Sequence, residues 1–215
     1  MSPLLGVERL STQKTLRKRK PKSADGRALA VASATPPDTA ELLMLAARAE
    51  FAEHGYGGTD SNKIARRAGF APQTFYRWYA DKVAIFIAVY RRWEEDELST
   101  LGELVKKRAS ARRLVDAVVE HHVQHVVFRR SLRWLSVQDD AVRRARADSR
   151  QRQIDNVLRW SRRDARQAQK PAEVAVTLLQ VERLADAIAE GELADLALDE
   201  GVLRAELVSL VARLQ

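Results

Sequence analysis

Tyr56-Gly57-Gly58-Thr59-Asp60-Ser61-Asn62-Lys63-Ile64-Ala65-Arg66-Arg67-Ala68-Gly69-Phe70-Ala71-Pro72-Gln73-Thr74-Phe75-Tyr76-Arg77-Trp78-Tyr79-Ala80-Asp81-Lys82 is the stretch that decides the fold. Thr59 can cap a short helix through Ala68, with Ile64, Ala65 and Ala68 facing inward. Gly69 breaks that helix, and Pro72 suits the first position of the next, where its missing N–H would be unpaired anyway. Asp81 can cap a longer helix from Lys82. Two short helices about a tight turn form a helix-turn-helix. Its second helix enters the major groove with its N-terminal side chains toward base edges. Here those are Pro72, Gln73, Thr74, Tyr76 and Arg77, opposite Phe75 and Tyr79, which the pattern assigns to the core. Gln bonds adenine, Arg bonds guanine, and Thr or Pro can touch a thymine methyl.

Working outward, Asp38-x-x-Glu41 is a capping-box-like start, with Leu43, Ala46, Ala47 and Phe51 on one helical face and Gly55 as the stop. Beyond Lys82 everything reads helical. One helix spans 83–108, and another runs from Ser110 to about Arg130, apolar nearly all round and therefore central. An arginine-rich helix starts at Ser136-x-x-Asp139 and ends at Pro171; two more span 171–190 and 200–214. The expected fold class is all-α. Residues 1–35 read as a disordered basic tail, 36–82 as the helix-turn-helix domain, and 83–215 as a helical effector-binding and dimerisation domain.

The run Ala46-Ala47, Phe51, Gly55-Tyr56, Thr59, Ile64-Ala65, Ala68-Gly69, Thr74-Phe75-Tyr76, Tyr79 and Lys82, without gaps, resembles the tetracycline-repressor (TetR) family of transcriptional regulators over roughly residues 40–90. The resemblance implies that Thr59 and Lys82 contact phosphates at the two ends of the reading unit and that Tyr76 touches backbone or base. It places Gln73, Thr74 and Arg77 at the positions that choose sequence. It also implies a homodimer paired through 171–190 and 200–214, a palindromic operator and a small-molecule effector. Three positions depart from the family pattern. Ala71 stands where a capping Ser or Thr is common, and Glu50 and Ser61 stand where apolar residues are usual. Those two are expected at a wetter edge or against the regulatory domain.

The net charge of +8 suggests a polyanionic partner. Its distribution is uneven: +6 over 1–35, zero over 36–82, +2 over 83–130, +6 over 131–170 and −6 over 171–215. The segment that reads DNA is thus neutral overall, and specificity is assigned to placed side chains rather than to field. The tail has two readings, an inert extension or an arm adding phosphate contacts. The arginines at 143, 144, 146, 150, 152, 159, 162, 163 and 166 read first as a solvated helix face, with a second DNA surface as the alternative, and the acidic 171–215 block can balance them within the fold or across a dimer.

No cysteine is present, which excludes disulfides, thiolate metal sites and thiol chemistry. The longest apolar run, Val83 to Tyr90, is too short to span a bilayer. His121 and His125 are one turn apart, but no acidic or cysteine ligand other than Glu120 or Asp116 stands at metal spacing; no metal, cofactor or catalytic residue is expected. His122, Phe128, Trp134 and Trp160 are the candidate ligand-binding residues, as polar or aromatic groups on apolar helices. The reading is a cytoplasmic, nucleoid-associated DNA-binding regulator, a repressor released by an effector. The alternative is a DNA-binding coregulator or architectural protein without one. An enzyme is disfavoured, since the chain has no glycine-rich phosphate loop and no nucleophile motif.

Overall fold

Asp38 opens the first helix by accepting the Glu41 N–H at 2.8 Å, and the chain continues as helices throughout the computed structural model, which describes residues 38–161 and 169–215. The basic tail 1–35, with both of its readings, and Arg162, Arg163 and Arg166 lie outside the described residues. Helix α1 (Thr39–His54) buries Leu43, Ala46, Ala47 and Phe51, the expected face, and stops at Gly55. Helices α2 (Ser61–Arg67) and α3 (Pro72–Trp78) follow, turning at Gly69, whose φ of 80° suits glycine. Helix α4 (Lys82–Lys106) is capped by Asp81, which accepts the Ala84 N–H at 2.7 Å. Then come α5 (Ala111–Gln124), α6 (Val126–Gln138), α7 (Asp140–Ser161), α8 (Pro171–Glu190), the single turn α9 (Glu192–Asp195) and α10 (Gly201–Leu214). The described residues contain no strand, so the chain is all-α.

Three local expectations are corrected. The cap of α2 is Asp60, not Thr59: its carboxylate accepts the Lys63 N–H at 2.8 Å, a charge favoured at a helix N-terminus, while Thr59 turns inward. The helix expected over 110–130 breaks at His125 (φ −119°, ψ 20°), whose N–H bonds back three residues to the His122 carbonyl. The break reorients the apolar residues beyond it, so Val127 is exposed; Val123, just before it on the outer side of α5, is exposed as well, whereas Leu114, Val115, Val118 and Val119 are buried. Ser136 consequently falls inside α6, and Asp139 provides the next cap by accepting the N–H groups of Ala141 and Val142.

Burial explains why these helices assemble. Phe51 meets Phe86 edge-on at 5.1 Å, and Phe86 stacks on Phe128 at 4.6 Å. One core therefore runs from Leu43, Ile64 and Phe75 through Phe86 to Leu132 and Val142, continuous across the expected boundary at 82/83. A second cluster joins α5, α8 and α10 through Leu114, Val118, Val181, Ala185, Leu207 and Leu210. No described helix is long and apolar enough to cross a membrane.

Candidate nucleic-acid interface and cavity

Phe75 is fully buried, and it fixes which side of α3 faces out. Gln73, Tyr76 and Arg77 are exposed on that outer side, with Pro72 and Thr74 half-buried beside them. Trp78 is also exposed, whereas Tyr79 is half-buried and donates to the Ala40 carbonyl at 3.3 Å. The five side chains expected to meet bases thus lie on one short helix with its aromatic anchor underneath.

The two expected phosphate ligands are placed differently. Thr59 is buried, and its hydroxyl donates to Glu50 Oε2 at 2.7 Å. Lys82 donates to the carbonyls of Tyr56 and Thr59 at 2.9 and 3.0 Å and lies 3.9 Å from the centre of the Tyr56 ring. Partial burial lowers its pKa. Two of its three N–H donors are committed to protein, tying the α1–α2 loop to the start of α4. Thr59 and Lys82 both brace the reading unit from behind.

The departures Glu50 and Ser61 find their reasons here. Glu50 is not at a wet edge: it is buried, and besides Thr59 it holds Arg67 at 3.1 Å. The Thr59 hydrogen bond, with Arg67 beside it, lowers the Glu50 pKa despite burial. Arg67 also grips Glu53, so α1 and α2 are clamped by charge-assisted bonds. Ser61 does lie at an edge, and its hydroxyl is 2.8 Å from the Tyr76 hydroxyl, linking α2 to the outer face of α3. An apolar residue at 61 could not make that bond. The signal for both was present in the sequence as departures from the residues usual at those positions of the family pattern.

The reading unit is joined to the rest of the chain through α6. The Tyr56 N–H donates to Ser131 Oγ at 3.0 Å, and the Tyr56 ring lies 5.4 Å from Phe86 and 6.5 Å from Trp134. A Cβ at Gly55 would sit 3.4 Å from Ser131 Oγ on a backbone with φ of 66°, so both the contact and the conformation favour glycine there.

Two adjoining cavities of about 320 and 530 Å³ lie between α4, α5, α7, α8 and α10, sharing Leu101, Val118, Val157, Trp160, Leu178 and Val181. Both volumes are in the range of small-molecule sites. The larger cavity adds Val105, Leu114, Val211 and Leu214; the smaller adds His122, Glu97, Arg129, Arg146, Arg150 and Glu182. Of the four expected ligand residues, His122 and Trp160 line this space. Phe128 and Trp134 do not: Phe128 is locked in the aromatic core, and Trp134 is exposed beside Tyr56, because the break at His125 turns α6 toward the reading unit.

Beside the smaller cavity runs a buried charge network. Asp186 accepts from Arg129 Nε at 2.5 Å, lies 2.7 Å from Arg133 and is 3.0 Å from His122 Nδ1. Burial alone would raise its pKa, but the bonds from His122 and Arg129 and the Arg129 charge hold it well below the usual carboxylate range. Burial lowers the His122 pKa, so the imidazole is neutral near pH 7. Glu182 faces three guanidiniums, those of Arg129, Arg146 and Arg150, which outweigh its burial and lower its pKa. His121 stacks on Trp93 at 4.5 Å and meets His125 edge-on, and among the described residues no three metal-type ligands converge.

Residues 43–89 match the sequence pattern of "Bacterial regulatory proteins, tetR family". A stretch of 71 residues is 30% identical to the "Fatty acid metabolism regulator protein" of Bacillus subtilis (strain 168), covering 33% of this chain; the match spans only 37% of that relative's length. The fold is similar to the fatty acid degradation regulator FadR from Bacillus halodurans, with a TM-score of 0.57 at 15% identity over 83% of this chain and 96% of that one. It is also similar to a transcriptional regulator from Rhodococcus sp. Rha1, with a TM-score of 0.62 at 15% identity over 82% and 96%. The gapless helix-turn-helix pattern of residues 43–89 is thus that of the TetR family of bacterial regulatory proteins, and the helical architecture around it is similar to that of the solved regulators.

Proposed function

We propose that this protein is a sequence-specific, dimeric transcriptional repressor released from a palindromic operator by a small-molecule effector. Residues 36–82 read DNA, and 83–215 bind the effector and dimerise. The observation that carries the reading is the outer face of α3. Gln73, Tyr76 and Arg77 stand exposed over the buried Phe75 within the family-matched segment, with Pro72 and Thr74 alongside. Gln and Arg are the side chains suited to adenine and guanine edges. Thr59 acts by holding the α2 N-terminus, and Lys82 reaches a phosphate with its remaining donor. The protein works in the cytoplasm at the nucleoid.

Dimerisation is assigned to α8 and α10. Val176, Leu179 and Val202 are more than half exposed there, and a groove between the two helices is lined by Val176, Leu179, Leu184 and Leu210. Exposed apolar surface of this kind marks association sites. A two-fold axis then presents two copies of α3 to successive major grooves, about 34–36 Å apart or at a larger groove-matched spacing. The cavities support an effector over an architectural protein without one, and the likeness to a fatty acid metabolism regulator supports a fatty acid or its derivative as a candidate.

Selection from random duplexes is expected to return a palindrome, protected symmetrically in footprinting. Protection of single asymmetric half-sites would refute the dimer reading. On the selected operator, S61A and Y76F are each expected to lower affinity about 3- to 10-fold, the size of one hydrogen bond. The double variant should lose no more than Y76F alone, because the two residues share one bond. Additive losses would show that they act independently.

A further inference from the structure

Arg146 and Arg150 lie side by side on α7 at the mouth of the smaller cavity, and both rest on one carboxylate, Glu182. The third guanidinium at Glu182, Arg129, has its own partner in Asp186. Glu97, the other acid of the lining, faces His121 and His122. Two cations therefore share a single anion at this corner of the wall. Arg146 and Arg150 are only partly buried, with their other N–H groups on Ser136 Oγ at 3.0 Å and Gln153 Oε1 at 2.7 Å, so they are held in place yet open to the cavity. Trp93, which lines the same cavity and is 4% exposed, has an indole N–H with no acceptor among the described residues. Buried donors in native proteins almost always have an acceptor. Away from this corner the lining turns apolar and leads past Leu101, Val157, Trp160 and Leu178 into the larger cavity.

A guanidinium pair sharing one carboxylate, with an apolar passage behind it, describes one chemistry. We propose that the cavity binds a monoanionic amphiphile with a free carboxylate, its head on Arg146 and Arg150 and its chain in the passage toward Val211 and Leu214. This deepens the effector reading above and rests on it. The carboxylate takes a share of the two guanidiniums from Glu182, so the ligand loosens α7 from α8 at this point. Carboxylate–guanidinium geometry gives discrimination that apolar burial cannot, since an alcohol of the same chain length offers no charge to the fork.

The probes are decanoate, decan-1-ol and decanoyl-coenzyme A below their micelle concentrations, titrated into the full-length protein and followed by tryptophan fluorescence and calorimetry. Decanoate is expected to bind about 10- to 100-fold more tightly than decan-1-ol, the size of a charge-assisted bond. R150Q, and separately R146Q, should remove most of that preference while leaving decan-1-ol affinity unchanged, which a merely structural role for either arginine would not do. E182Q, which frees both guanidiniums, should tighten decanoate and not the alcohol. Equal affinity for acid and alcohol, or a preference that survives R150Q and R146Q, overturns the proposal. So does binding of decanoyl-coenzyme A without binding of decanoate, which would keep the effector reading but place the polar group elsewhere. If none of the three binds, the assignment of this space to an effector of this kind fails with it.

Discussion

Asp186→Ala is expected to lower the unfolding free energy by about 3–5 kcal/mol, the cost of leaving a buried charge without its partner. Asp186 is 2% exposed and is the shared anion of Arg129 and Arg133, with His122 at its other side. Arg129 is itself 4% exposed, so no solvent replaces the lost carboxylate, and Glu182 at 3.1 Å already serves three arginines. The single variant Arg129→Met removes the most buried of Asp186's cationic partners and leaves it Arg133 and His122, so a smaller loss is expected. In a double-mutant cycle with Asp186→Leu the two losses should not add, giving a coupling of about 1–3 kcal/mol. Urea unfolding at one fixed protein concentration checks this, since stability of a dimer depends on concentration. A loss under 1 kcal/mol for Asp186→Ala would show that the network is solvated and does not anchor α5, α6 and α8.

Arg77→Ala is expected to weaken operator binding by about 1–3 kcal/mol, or roughly 5- to 150-fold, and to relax selectivity at one base position. Arg77 is exposed on α3 and makes no ion pair among the described residues, so its guanidinium is free to meet DNA. The companion variant Arg77→Lys separates the two ways it could act. A fork bonding guanine O6 and N7 is not replaced by an ammonium, whereas a phosphate contact is. Loss of affinity in Arg77→Lys with an unchanged salt slope indicates base reading; retained affinity indicates a phosphate contact. Measured across operator variants at two salt concentrations, an Arg77→Ala protein that binds every duplex as the parent does would remove Arg77 from the interface.

The stretch 56–82 determined by itself that this is a helix-turn-helix protein, because its information is local. A helix needs a cap, a face of apolar residues every three or four positions, and a breaker, and Asp81, Ile64-Ala65, Phe75, Gly69 and Pro72 are all present within one turn of where they act. The same logic located α8 and the outer face of α3. It did not show what the polar exceptions were for. Glu50 is 9 residues from Thr59 and 17 from Arg67, and Ser61 is 15 from Tyr76; only folding brings them to 2.7–3.1 Å. Nor did periodicity reveal the break at His125, since an apolar run can continue through a change of axis, and that break is why Phe128 and Trp134 face the reading unit while His122 and Trp160 face the cavity. The arginine run is in part balanced within the fold by acids of the C-terminal block, as the opposed charges of 131–170 and 171–215 allowed, but the pairing itself is tertiary. Arg146 and Arg150 meet Glu182 across 36 and 32 residues of sequence. Local pattern settled the helix-turn-helix and most of the helices around it. Which charges face each other, and hence where a ligand can bind, was decided by tertiary packing, because electrostatic pairing depends on distance in space and not on order in the chain.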